Sequence, residues 1–180
     1  KENSMKIEST IVAKALCFAT EAHKGQVRKY SGEPYINHPI NVATIVSSVT
    51  DNQNMIAAAL LHDVVEDTDV TQEDIGREFN FMINSWVESL TDVSKPEDGN
   101  RVTRKNIDLQ HTKLGLPPAK TIKLADLIDN YCDIYKHDKG FAKVYMAEKK
   151  KLLEVLKQGN KTLYNRALDI VENYYNYKKK

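Results

Sequence analysis

Cysteine is scarce in this chain of 180 residues: there are two, Cys17 and Cys132. They show no metal-type spacing, which argues against a structural zinc centre built on thiolates. Both sit in apolar helical contexts and read as reduced core thiols of a cytoplasmic protein, with a disulfide as the alternative. Long apolar runs are missing as well. Nothing approaches the ~20 residues of a membrane span, so no membrane partner is expected. The first residues carry no signal-peptide pattern. An excess of one charge is absent, since the formal net charge is +1. No global field therefore favours nucleic acid, and no aromatic residues interleave with basic ones to make a stacking platform. No stretch alternates convincingly between apolar and polar residues, and no segment repeats.

What is present is helical period. Hydrophobic residues make up 41% and charged residues 28%, the profile of a globular protein. The length suits one domain with a substantial core and is too short for two. Lys1 to Ser4 precede Met5 and are set apart as a remnant, which leaves one domain over residues 5–177. Ile7, Ile11, Ala15, Phe18 and Ala22 form an apolar stripe that Gly25 ends. Gly25 to Pro34 reads as a polar loop. A second helix is expected after Pro39, carrying Val42, Ile45, Val46 and Val49. Asp51 or Asn52 caps a third, which runs into His62 and Asp63. Thr71 and Asp74 resemble a capping box that opens a helix through Phe79. Further helices are expected over Phe81–Leu90, Arg101–Leu114, about Ala119–Tyr135, Phe141–Leu156 and Leu163–Tyr177, with residues 94–100 as a loop. The expectation is an all-α domain, a bundle of about eight to ten helices.

The most informative stretch is Ala57 to Thr68, AAALLHDVVEDT. On a continuous helix His62, Asp63, Glu66 and Asp67 would share an arc of roughly 140°. Four ionisable groups would then crowd one side of a segment otherwise made of Ala, Leu and Val. Burying them is costly unless they pair or bind a cation. His38, fixed between Asn37 and Pro39 at a loop-to-helix entry, and Asp126, mid-helix in KLAD, complete a set of two imidazoles and two carboxylates. Such a set suits Mn²⁺, Fe²⁺ or Zn²⁺ with room for water and substrate. Each residue also has a plainer explanation: His38 as a satisfied turn residue, Asp126 as the partner of Lys123 one turn away. His137-Asp138, a second His-Asp pair, reads as no more than a polar helix end.

Flanking residues narrow the choice. In order occur His23-Lys-Gly-Gln-Val-Arg28-Lys29, then Gly32-Glu-Pro-Tyr35-Ile-Asn-His38-Pro39, then His62-Asp63-Val-Val-Glu66-Asp67-Thr68, then Ile122-Lys123-Leu-Ala-Asp126, and Asn130. From about Ile7 to about Val171 the chain resembles the HD-type hydrolase domain of RelA/SpoT enzymes, and specifically the small stand-alone alarmone hydrolases. No synthetase segment is expected. The resemblance implies an all-helical fold and one divalent cation, usually Mn²⁺, held by His38, His62, Asp63 and Asp126. It implies removal of the 3′-pyrophosphate from (p)ppGpp, with Glu66 and Asp67 activating water and with Arg28, Lys29, Tyr35 and Asn130 lining the nucleotide site. Two departures from the long bifunctional enzymes stand out. After Asp126 the chain reads Leu-Ile-Asp129-Asn130-Tyr-Cys in place of Arg-Leu-His-Asn-Met-Arg, and residues 90–115 differ.

The chemistry fits these residue types. A bound divalent ion activates water and polarises a phosphoryl oxygen, and a carboxylate can accept the water's proton. Arg28 and Lys29 suit phosphate. Tyr35 either stacks on a base or packs as core, and Asn130 either meets ribose or phosphate or supports a ligand. Lys123 reads as the support of Asp126, and His23 as a brace for the loop. Arg104 and Lys105 offer a basic pair for distal phosphates. Lys149 to Lys151 read as a charged helix face, with Val144, Leu152, Val155 and Leu156 toward the core. The alternatives are the same chemistry on (p)ppApp, phosphate removal from NADPH, or a non-catalytic nucleotide-binding or antitoxin-like module. Oligomeric state is left open.

Overall fold

The computed structural model describes residues 10–177, without the side chains of Cys132 and Tyr177. Ile7, residues 1–4 and Lys178–Lys180 lie outside the described residues. Ten α-helices follow in chain order: α1 Ile11–Ala22, α2 Asn37–Ser47, α3 Gln53–Leu61, α4 Val64–Asp67, α5 Gln72–Glu78, α6 Phe81–Leu90, α7 Arg101–Leu114, α8 Pro117–His137, α9 Lys139–Val155 and α10 Lys161–Tyr177. The all-α expectation holds. Among the described residues the only extended pairing is a single bridge between Val27 and Pro34. No described helix is long and apolar enough to cross a membrane.

Helix ends sit where local chemistry puts them. The Asn52 side chain accepts from Asn54 N and Met55 N, capping α3. Thr71 and Asp74 form the reciprocal capping box of α5. α2 starts at Asn37, two residues before Pro39, because proline fits anywhere in a first turn where its missing N–H has no intrahelical acceptor. α8 likewise takes in Pro117 and Pro118 at its start. His137 and Asp138 do mark a helix end: α8 stops there, and Asp138 Oδ1 accepts from Phe141 N to open α9.

The core is centred on α3, which packs against α1, α2, α6 and α8. Ala57, Ala58, Ala59, Leu60 and Leu61 are all buried, so the C-terminal half of this helix has no solvent face. Its three alanines keep it thin and let neighbouring helices approach closely. The chain leaves the core at the C-terminal end of α3, where His62 is 1% exposed. There the helix breaks, and Asp63 (φ −102°, ψ −4°) serves as the N-cap of the short α4. The single continuous helix that the sequence suggests through His62–Asp67 is therefore two pieces, and the break re-aims Asp63.

Two other expectations need correction. Cys17 is an exposed free thiol, because α1 buries Ala15 and Ala19 on its other side. Val144 is 46% exposed, whereas Leu152 and Leu156 do face the core.

α8 is held from behind by the turn between α9 and α10. A Cβ at Gly159 would meet Leu124 Cδ1 at 2.8 Å and backbone atoms of Leu156 and Lys120 at 3.2 Å. Gly159→Ala is expected to lower stability by about 1–3 kcal/mol through overpacking, read as a drop in the thermal unfolding midpoint. An unchanged midpoint would show that this contact has slack.

Candidate metal centre and nucleotide site

Three parts of the fold aim four side chains at one point. α2 brings His38, the α3–α4 break brings His62 and Asp63, and α8 brings Asp126. The Nε2 atom of His38 lies 3.4 Å from Asp63 Oδ2 and 3.3 Å from Asp126 Oδ1. The Nε2 atom of His62 lies 3.1 Å from Asp63 Oδ2 and 3.9 Å from Asp126 Oδ1. Donors about 2.1 Å from one ion sit roughly 3.0–3.4 Å apart at neighbouring positions, so these spacings are close to those of a coordination shell. Donor atoms of His38, His62 and Asp126 all lie within 4.8 Å of one another.

The imidazoles are oriented from behind. His62 Nδ1 is 2.8 Å from the Ala59 carbonyl, so Nδ1 carries the hydrogen and donates it. In the neutral ring Nε2 then carries the lone pair, and this atom is buried without a hydrogen-bond partner. An orphaned ring nitrogen among carboxylate oxygens is what a cation would satisfy. His38 Nδ1 is 2.6 Å from Asp129 Oδ2, which fixes the same tautomer at the second ligand. The residues therefore fit a divalent ion.

Electrostatics agree. Burial opposes a charge on His38, but hydrogen bonds to Asp126, Asp129 and Asp63 outweigh it and raise its pKa to about 11. The same three carboxylates would favour a cation, whose binding requires the neutral imidazole. Burial pushes Asp63 and Asp126 upward, yet the imidazoles, with Lys123 for Asp126, hold both well below the usual carboxylate range.

Glu66 and Asp67, on α4, flank the cluster and differ from each other. The Tyr35 hydroxyl lies 2.7 Å from Asp67 Oδ2 and 2.8 Å from Asp63 Oδ2. One phenolic hydrogen thus serves two carboxylates, and His23 packs against the ring with centroids 4.7 Å apart. Glu66 Oε2 accepts only from Asp92 N, at 3.3 Å. Glu66 is exposed by area but sits in a concavity dense with protein atoms. That burial, then the Asp92 carboxylate, raises its pKa to about 7 against the pull of Lys123. Desolvation also raises Asp67.

The expected substrate residues divide. Asn130 donates from Nδ2 to Asp126 Oδ1 at 2.5 Å and accepts from Arg28 Nη1 at 3.2 Å. Arg28 also donates to Asp133 Oδ2 from Nε and Nη2, at 3.3 and 3.1 Å. The loop before α2 holds Arg28 there as a narrow ribbon, with Gly25 (φ 80°) and Gly32 (φ 72°) at its bends. Lys29 lies apart, over the Tyr30 ring. A cavity of about 1030 Å³ opens between α7, α8 and α9, lined among others by Lys105, Lys123, Asn130, Phe141, Tyr145 and Lys149. Lys149 is half-buried over the Tyr145 ring, and burial lowers its pKa. It belongs to this cavity rather than to the outer charged face suggested by its neighbours in sequence.

The HD-domain family pattern matches residues 15–137. Guanosine-3′,5′-bis(diphosphate) 3′-pyrophosphohydrolase MESH1 of Xenopus tropicalis is 38% identical over 134 residues, 72% of this chain and 73% of that protein. The MESH1 of Drosophila melanogaster is 41% identical over 123 residues, 66% of each. A solved structure of a metazoan ortholog of SpoT, which hydrolyzes ppGpp and plays a role in starvation responses, superposes with a TM-score of 0.83. It is 31% identical and covers 93% of this chain and 97% of its own.

Asp129→Asn is expected to weaken divalent-ion binding about 10–100-fold, since it loosens the tautomer of His38. Competition with a chelating dye measures this, and unchanged affinity would show that Asp129 does not orient the ligand. Through its matched pattern, its relatives and its site geometry, this chain belongs to the HD-domain family, in the RelA/SpoT-type group that includes the metazoan SpoT homologs.

Proposed function

We propose that the chain, as one domain over residues 5–177, is a divalent-cation-dependent hydrolase that removes the 3′-pyrophosphate of (p)ppGpp, giving GDP or GTP and pyrophosphate. The observation that carries this is the buried pair of oriented imidazoles and pair of carboxylates, with a high-pKa Glu66 beside them, in a chain 38% identical to a named enzyme of this activity. His38, His62, Asp63 and Asp126 would hold the ion, and the RelA/SpoT relationship favours Mn²⁺ among the ions that this mixed nitrogen–oxygen set suits. When bound, the ion supplies charge that polarises the phosphoryl group and makes water more acidic. The exposed free thiol of Cys17 fits a reducing cytoplasm.

Glu66 is the general base. Its Oε2 is fixed by Asp92 N, which leaves Oε1 for a water's proton. Asp67 uses Oδ2 on Tyr35 and so positions rather than abstracts. The water oxygen bonds to the phosphorus attached to the ribose 3′-oxygen while the bond to that oxygen breaks. The water's proton goes to Glu66, and the 3′-oxygen leaves and takes a proton from solvent water. Lys105, Lys123 and Lys149 supply positive charge along the cavity wall, and Phe141 and Tyr145 offer rings for the base. Asn130, held between Asp126 and Arg28, meets the ribose end.

Glu66 must be ionised to accept a proton, so with its pKa near 7 activity is expected to fall as pH drops below about 7. A kcat–pH profile reads this limb. Glu66→Gln should lower kcat about 10²–10⁴-fold while the ion stays bound; normal turnover would remove Glu66 from the mechanism.

Purified protein assayed with Mn²⁺ against ppGpp, ppApp and NADPH tests the substrate, with Asp63→Ala as the inactive control. Preference for ppGpp is expected. Preference for ppApp or NADPH would move the activity to that substrate, and binding without hydrolysis would make the chain a nucleotide-binding module.

A further inference from the structure

A second, smaller cavity of about 420 Å³ adjoins Glu66, with Asp92, Arg101, Arg104 and Lys105 in its wall. Two of these three cations are already matched. Arg101 donates from Nε and Nη2 to the two carboxylate oxygens of Glu148 at 2.8 and 2.9 Å. Lys105 Nζ lies 2.5 Å from Asp92 Oδ2 and 3.5 Å from Asp108 Oδ2. Arg104 is different. Its Nε is buried with no hydrogen-bond partner, and it makes no ion pair among the described residues. A buried guanidinium N–H without an acceptor is unfavourable, and an oxyanion in the adjoining space would satisfy it.

The reaction says which oxyanion. Displacement in line places the entering water and the leaving ribose oxygen on opposite sides of the attacked phosphorus. Glu66 delivers the water, so the ribose leaves on the side away from Glu66. Both phosphorus atoms of the released pyrophosphate remain on the Glu66 side of the broken bond. The larger cavity has the apolar and aromatic wall a nucleoside needs, including Leu109, Ile134, Phe141 and Tyr145. The smaller one is polar and cationic. The two share Asp92, Arg101 and Lys105, so one substrate can enter both.

We propose that the smaller cavity is a pyrophosphate pocket: it receives the outer phosphate of the substrate's 3′-pyrophosphate and then holds the released inorganic pyrophosphate, with Arg104 as the gripping residue. This rests on the 3′-pyrophosphohydrolase assignment. The pocket makes pyrophosphate a product inhibitor through contacts that the nucleoside product does not use. It also distinguishes substrates, since a 3′-monophosphate leaves Arg104 without its acceptor.

The test compares product inhibition by inorganic pyrophosphate and by GDP in the wild-type chain, Arg104→Gln and Arg104→Lys. The expected result is a rise of about tenfold in the pyrophosphate inhibition constant for Arg104→Gln, a smaller rise for Arg104→Lys, and a GDP constant that moves less than twofold. An unchanged pyrophosphate constant, or pyrophosphate and GDP constants that rise together, would overturn the pocket. Calorimetric titration of pyrophosphate at fixed free Mn²⁺ separates this from the activity itself. If the wild type turns over no nucleotide yet binds pyrophosphate in an Arg104-dependent way, the pocket stands and the enzymatic assignment falls. If the wild type binds no pyrophosphate, the pocket falls.

Discussion

Three acidic side chains, Asp63, Asp126 and Asp129, converge on two imidazoles at the fully buried end of α3. That concentration of negative charge in a poorly hydrated place is the constraint on which the rest of the structure depends. Positively charged groups are favoured beside it. His38 is driven to hold a proton far above its ordinary range, and Lys123, buried beside Asp126, is held more firmly charged by Asp126, Asp92 and Glu66 despite the desolvation that opposes it. A divalent ion would meet the same demand with one centre of charge and would leave the imidazoles neutral.

The fold can be followed outward from that demand. Small residues on α3 let α1, α2, α6 and α8 close around it, which carries His62 into the core and sets Asp126 opposite. The break after His62 turns Asp63 toward both imidazoles and starts α4, whose Glu66 and Asp67 then stand beside the cluster. The ribbon before α2 places Tyr35 between Asp63 and Asp67 and brings Arg28 against α8. Arg28, Asn130 and Asp126 form a hydrogen-bonded series that ties this ribbon to the metal face of α8. The two cavities meet at Asp92, Arg101 and Lys105, so Glu66 and the cationic walls belong to one continuous surface.

Much of this is legible in the sequence because it depends on local pattern. Period-3.6 apolar spacing and capping residues such as Asn52 and Thr71 locate most helices within two residues. The ordered motifs around His38, His62-Asp63 and Asp126 pick out the residues that converge, because each lies at an apolar helix end or mid-helix where a charge needs a reason. Other parts depend on which faces meet in three dimensions. Asp129 stands out in the sequence only as an extra acid beside Asp126. Its role behind His38 follows from α2 crossing α8, and an aspartate one turn along from a ligand is the available signal. Lys149 looks like one of three surface lysines until α7 and α9 enclose it. Cys17 looks apolar by context, but its position on α1 turns it to solvent. The helix break at Asp63 carries no glycine or proline to announce it; tertiary packing of His62 imposes it.

The central claim is that the imidazoles and carboxylates form one divalent-cation site. Anomalous diffraction at the manganese edge from crystals grown with Mn²⁺ tests it directly. One peak per chain is expected, within about 2.0–2.3 Å of His38 Nε2, His62 Nε2 and oxygens of Asp63 and Asp126. No peak there, with His38 Nε2 still in hydrogen-bonding contact with the carboxylates, would contradict the account.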